Sequence, residues 1–219
     1  MYEAESGRRI DLDYGDSGAC VIKAETTGRG DLIVVHDPFH EVLAGKGLLL
    51  EGRVIGSVEP AIAVAKGNPK GIAGLKDLAR PGLRVILTDP QFSTAGAIGA
   101  VMARKAGIAE ALEKNVVSRT RSGGEAANAV VIGNADATIV WKAVIRLRDD
   151  KLDAVPIEPA FLPDPKSDPV IAEGVGPIDP SRVRVTADIL KSSRRAAEAR
   201  ALVEFLASER AAEVWRRLG

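Results

Sequence analysis

Ser93 and Thr94 sit in the stretch DPQFSTAGAIG, residues 89–99, behind a proline and ahead of small residues that open a helix. Hydroxyls at such a place have two chemistries open to them. They can cap the helix by accepting hydrogen bonds from its first free N–H groups. Alternatively, the free N–H groups and the positive helix end can face an anion, with the hydroxyls as further donors. The plan recurs. In YGDSGAC, residues 14–20, a tight turn after Tyr14 presents Ser17 and bare backbone amides, and in VVSRTRSGGEAA, residues 116–127, Ser122 and two glycines open a helix. No catalytic base accompanies any of the three corners, so they suit holding an anion without reacting with it.

Other reactive constellations are weak. The GxSxG, GxxxxGK[ST], HExxH and GxGxxG signatures are all missing. His36 and His40 flank Asp37 in HDPFH, but Pro38 between them favours a turn over a metal-binding helix face. An Asp before Pro at that point reads as a helix cap. Arg119 and Arg121 in SRTRSGG could meet an acidic group, although paired arginines on a solvated loop are commoner. The single cysteine, Cys20, can form no internal disulfide and reads as a buried structural thiol. No cofactor is expected.

The elements that must place these residues alternate. Over 219 residues, 46% hydrophobic and 27% charged, the sequence describes a globular chain long enough for one large domain or two small ones. Thirty basic residues balance thirty acidic ones, which argues against nucleic acid as a partner. No apolar run reaches the length of a membrane span. Strands are predicted at 8–14, where Ile10, Leu12 and Tyr14 alternate with Asp11 and Asp13, and at 32–35, 61–65, 83–88, 137–141 and 153–157. The continuous LIVV at 32–35 reads as a strand buried on both faces of a parallel sheet. Helices are predicted from Pro38 to Gly45 or Gly47, in LKDLARPG, from 94 to 106 and in GEAANAVVIG. The proline-rich, acidic segment 158–181 reads as an irregular surface excursion. A long C-terminal helix or helix pair carries Leu202, Phe205, Leu206, Trp215 and Leu218 on its buried stripe. The result is an α/β chain with mostly parallel sheets.

The first residues, MYEAESG, read as the last turn of a helix closing on Gly7, with no apolar leader before it. A chain opening on a helix end is expected to lack a strand and helix upstream. The first sheet is then expected to carry a gap, a borrowed strand, a shifted 8–14 strand or a detached N-terminal segment.

Four stretches carry a family resemblance: DLIVVHDPFHEVLAGKGLL, AIAVAKGNPKGIAGLKDLARPGLRVILTDPQFSTAG, AVVIGNADATIVWKAV and ALVEFLASERAAEVWRRLG. From about residue 8 to the C-terminus the chain resembles extracytoplasmic solute-binding proteins of ABC importers, in the molybdate/tungstate-binding branch. The resemblance implies a two-lobed type II periplasmic-binding fold, lobe 1 from 1–59 and 156–219, lobe 2 from 60–155, with a ligand cleft between the lobes. It implies an oxyanion held by hydroxyls and N–H groups, with Ser17, Gly18, Ser93, Thr94, Ala95, Trp141 and Lys142 at ligand positions. Some relatives carry tyrosine where Trp141 stands. The implied partners are a small oxyanion and an ABC permease, outside the cytoplasm, with no membrane insertion of this chain.

Two other functions stay open on the sequence. An intracellular ligand-sensing domain of a regulator would use the same fold, and the lack of a visible leader favours it. An enzyme is distant, because two histidines in one loop assemble no nucleophile–base pair.

Overall fold

A computed structural model describes residues 1–168, 170–172, 176–180 and 183–218. In chain order the elements begin with α1 (Tyr2–Ser6), α2 (Ser17–Thr27), β1 (Leu32–His36), α3 (Phe39–Gly45) and β2 (Leu49–Val58). They continue with β3 (Pro60–Ala65), β4 (Val85–Thr88), α4 (Thr94–Lys105), α5 (Ala109–Asn115), β5 (Val116–Thr120), α6 (Gly123–Val131), β6 (Ala137–Trp141), α7 (Lys142–Arg146) and β7 (Leu152–Val155). Last come β8 (Val170–Ala172), β9 (Gly176–Ile178), β10 (Val183–Leu190), α8 (Ala196–Leu206) and α9 (Glu209–Leu218). The contacts divide these elements into two compact units, Met1–Ser57 with Arg184–Arg217, and in the main Val58–Val183. The α/β, two-part reading of the sequence holds. The return to unit 1 lies at Val183/Arg184, where the sequence reading placed it at 155/156.

Unit 1 contains a three-stranded sheet in the order β1-β10-β2. β1 is an edge strand with β10 as its antiparallel partner, and Val34 is 46% exposed between buried Ile33 and Val35. The expectation of a doubly buried parallel strand therefore fails. An apolar run announces burial, but the partner supplied by the chain leaves one face in water. The 8–14 strand is absent as well: Leu12 and Tyr14 are exposed, and the Ile10 N–H donates to Glu3 Oε1 at 2.6 Å. Alternation specifies a face, not a neighbour, and this segment finds none. The helical start is real, with Gly7 in the left-handed conformation at φ 66°. Tyr2 packs on Phe205, with the ring centroids 5.3 Å apart, and Glu5 pairs with Arg210.

Within unit 1, buried Asp37 receives three bonds from Arg184: its N–H at 2.8 Å, Nε at 2.9 Å and Nη2 at 2.9 Å. Asp37 is thus an ion-pair anchor rather than the cap of α3. Asp188 is fully buried, with Thr186 Oγ1 donating to it at 2.7 Å and His40 Nδ1 2.8 Å away. Burial pushes its carboxyl up, and the two hydrogen bonds pull it part of the way back. His36 is held low by burial, its Nδ1 2.7 Å from the Asp37 carbonyl oxygen. The two imidazoles of HDPFH serve different local partners. At the C-terminus the pair reading holds, with α8 and α9 separate, but Ala199, Val203 and Ala211 are the buried residues. Leu202, Phe205, Leu206 and Trp215 are only partly covered, and the Leu218 side chain lies outside the described residues.

Unit 2 is built on a five-stranded sheet, β5-β4-β6-β3-β7. β4 runs parallel to β5 and β6, while β3 lies antiparallel to β6 and β7. The parallel expectation holds at the heart of this sheet and fails at β3, which follows β2 directly and has no helical crossover to turn it round. All five residues of β6 are buried, as its central place demands. Alternate residues feed two cores. Val85, Ala137 and Ile139 join Ile98 and Met102 of α4 on one face, and Ile86 and Val140 join Ala126, Ala127 and Val130 of α6 on the other. Ile98 and Met102 are wholly buried, each contributing about 1.5–3 kcal/mol. LKDLA at 75–79 is a 3-10 helix rather than an α-helix. The segment 158–181 is less irregular than expected: β8 pairs antiparallel with β9, and Val170 and Ile178 enter the core beside α4. Residues 169, 173–175 and 181 of that stretch lie outside the described residues.

Candidate functional site

In parallel strands every C-terminal end lies at one edge of the sheet, so the turns after β4, β5 and β6 gather there. The chain runs from β4 outward to β5 and from β6 toward β7 on the opposite side, which makes the β4/β6 junction a topological switch point. The turns leading into α4 and α6 are tied together by the Asp89 N–H, which donates to the Thr120 carbonyl at 2.8 Å.

Ser93 is the N-cap of α4, its Oγ accepting from the Gly96 N–H at a long 3.4 Å. Ser122 caps α6 in the same way, accepting from the Glu125 N–H at 3.3 Å. A capping serine uses its oxygen as acceptor and keeps its hydrogen as donor. Cap and anion cradle are therefore compatible roles here. The helical ladders begin at the Ala97 N–H to Ser93 O (2.9 Å) and the Ala126 N–H to Ser122 O (3.2 Å). Thr94 and Ala95 are buried first-turn residues of α4. Gly96 lets that turn sit tight on the strand, since a Cβ there would stand 2.5 Å from the Thr88 carbonyl oxygen.

The remaining expected ligand positions differ in character. Trp141 is 8% exposed and packs in the core beneath α4 while its backbone pairs with Pro60 in β3. Lys142 opens the short α7, and both its N–H (2.9 Å) and its Nζ (2.5 Å) bind Glu59. In unit 1, Ser17 and Gly18 form the first turn of α2, a helix absent from the sequence reading. Its N-cap is Asp16, whose Oδ1 accepts from the Ala19 N–H at 2.8 Å, so a carboxylate of the chain itself already faces those amides. The strand expected to end at Tyr14 is missing. The Cys20 thiol nearby is pushed up by burial and by Asp16 and Asp13, the opposite of an activated nucleophile.

Ser122 earns a place beside Ser93 that its sequence motif alone only suggested. The two arginines before it separate sharply. Arg119 Nη2 is 2.6 Å from Glu113 Oε2, whereas Arg121 lies over the Phe92 ring, 4.0 Å from its centroid. No groups of three or more His, Cys, Asp or Glu that could hold a metal ion occur among the described residues. No described helix is long and apolar enough to cross a membrane.

The family model for bacterial extracellular solute-binding proteins matches residues 1–219. The chain belongs to that family. This solute-binding protein is 25% identical over 210 residues to a "Putative binding protein" of Haemophilus influenzae, covering 95% of this chain and 78% of the relative. It is 36% identical over 80 residues to the molybdate-binding protein ModA of Mycobacterium tuberculosis, a match spanning 36% of this chain and 29% of the relative. Its fold matches the periplasmic molybdate-binding protein of Azotobacter vinelandii with a TM-score of 0.76 at 19% identity, covering 100% of this chain and 89% of that one. The fold is thus the type II periplasmic-binding one, and the solute-binding protein's family is one of binding proteins rather than enzymes.

Proposed function

We propose that this solute-binding protein captures a small tetrahedral oxyanion of the molybdate, tungstate or sulfate kind outside the cytoplasm and passes it to the permease of an ABC importer. The observation that carries the reading is the pair of serine-capped helix starts, Ser93 and Ser122, side by side at the C-terminal edge of β4 and β5. Helix N-termini bind anions through N–H groups and dipole together. The hydrogens of both cap hydroxyls add donors, and hydrogen bonds to a dianion are strong. The molybdate-binding relatives named above support the same class of ligand.

Ser93, Thr94 and Ala95 are the principal donors in this reading. Trp141 and Lys142 flank them at the end of β6, and Lys142 reaches a ligand only by leaving Glu59. Ser17 and Gly18 are the candidate donors of unit 1, in competition with the Asp16 carboxylate.

Calorimetry with molybdate, tungstate, sulfate and phosphate tests the reading, backed by thermal unfolding. An anion at 100 times its dissociation constant adds about 2.7 kcal/mol, a rise of roughly 5–11 °C for a chain of this size. Ser93→Ala and Thr94→Val are expected to weaken the bound anion by about tenfold or more each. Failure of all four anions to bind, or full affinity in both variants, would remove the assignment.

A further inference from the structure

Arg121 is a feature of this edge that neutral oxyanion recognition leaves unused. It immediately precedes the cap Ser122, and Phe92 immediately precedes the cap Ser93. The stacking of Arg121 on Phe92, 4.0 Å from guanidinium carbon to ring centroid, therefore joins the residues just outside two neighbouring helix starts. Phe92 is 49% exposed and offers its ring face to the guanidinium. Among the described residues no carboxylate lies within ion-pair distance of the Arg121 guanidinium. Glu113 is taken by Arg119, Glu125 Oε2 accepts from the Arg121 backbone N–H at 3.2 Å, and Asp89 Oδ1 accepts from the Gln91 N–H at 2.9 Å. A planar guanidinium has five donors, and stacking on a ring face spends none of them. The stack also fixes the side chain in advance, which lowers the entropy lost when those donors meet an anion.

We propose that Arg121, braced by Phe92, is a specificity-determining residue of the oxyanion site, supplying a full positive charge that makes the site prefer dianions to monoanions of the same shape. The inference rests on the oxyanion reading of Ser93 and Ser122. Neutral donors at helix starts serve both charge states, with a gain for the second negative charge. A fixed cation adds to that gain in proportion to the ligand's charge. It also gives capture a dependence on ionic strength that hydroxyls alone do not impose.

Tungstate and perrhenate make the test, being tetrahedral anions of closely similar size that differ by one charge. Calorimetric titration of the full chain compares the wild type with Arg121→Gln, Arg121→Lys and Phe92→Leu, all exposed positions whose thermal midpoints are expected to stay close to that of the wild type. Arg121→Gln is expected to weaken tungstate about tenfold while perrhenate changes far less, so that selectivity collapses. Arg121→Lys keeps the charge without the planar stack and should fall between. Phe92→Leu should lose part of the same selectivity, and the double variant Phe92→Leu/Arg121→Gln should lose little more than Arg121→Gln alone. Raising the salt should weaken tungstate binding more in the wild type than in Arg121→Gln. Equal weakening of both anions, or no change in either, overturns the role of Arg121 and leaves the oxyanion site standing. A wild type that binds no tetrahedral anion overturns both.

Discussion

Substituting Gly96 by alanine adds one methyl group at the closest approach between helix α4 and the end of β4. The new Cβ would stand 2.5 Å from the Thr88 carbonyl oxygen and 2.9 Å from both the carbonyl carbon and oxygen of Asp89. These are backbone atoms, which cannot swing aside as a side chain can, so the helix start has to lift. Overpacking of this kind costs about 1–3 kcal/mol, and contacts this short belong at the upper end, about 2–3. Alanine returns about 1 kcal/mol of helix propensity, for a net loss of about 1–2 kcal/mol and a fall in Tm of roughly 2–8 °C. Gly99, one turn on in the same helix, is the internal control. A Cβ there meets Ile139 Cδ1 at an ordinary 3.8 Å, so Gly99→Ala should gain up to about 1 kcal/mol. The difference between the two variants cancels propensity and isolates the close approach. Urea and thermal unfolding of both proteins measure it, and tungstate titration of Gly96→Ala should show weaker binding because Ser93, Thr94 and Ala95 shift with the helix start. Gly96→Ala as stable as Gly99→Ala would refute the reasoning.

Thr138 is wholly buried in β6, and its hydroxyl has no partner among the described residues, so Thr138→Val should stabilise by about 1 kcal/mol; a lowered thermal midpoint would show that the hydroxyl is satisfied after all. Burial pushes the Asp136 carboxyl up, but the side chain and backbone N–H of Arg84, with Lys70 beyond, more than offset it and leave the group below the usual carboxylate range. Its stabilising contribution is complete above the unfolded pKa of about 3.9 and is lost as the pH falls through the lower folded value. The stability gap between wild type and Asp136→Asn, read from urea midpoints, should therefore be constant from pH 7 to 5 and shrink below pH 4. A gap that persists unchanged at pH 2 would refute the sign.

The sequence by itself determined what depends on local chemistry. Small residues behind Ser93 and Ser122 make those positions helix caps, the buried runs AIAVA and ATIVW make central strands, and Gly7 ends the first helix. Propensity, capping and hydrophobic period act within a few residues, so they are written in the chain. The partner of each element was not legible. RRIDLDY has the alternation of a strand and forms none, and LIVV reads as a doubly buried strand and lies at an edge, because pairing depends on what the rest of the chain brings alongside. The site divided in the same way. That Ser93 and Thr94 stand at a helix start could be read from their own stretch, but Ser17, read in a tight turn, opens α2, and the Asp16 carboxylate facing the α2 amides was decided by the helix that formed there. Arg119 and Arg121 look alike in SRTRSGG. The fold gave one to Glu113 of α5 and set the other on Phe92, since a charge is cancelled or kept available by whichever neighbours folding brings alongside.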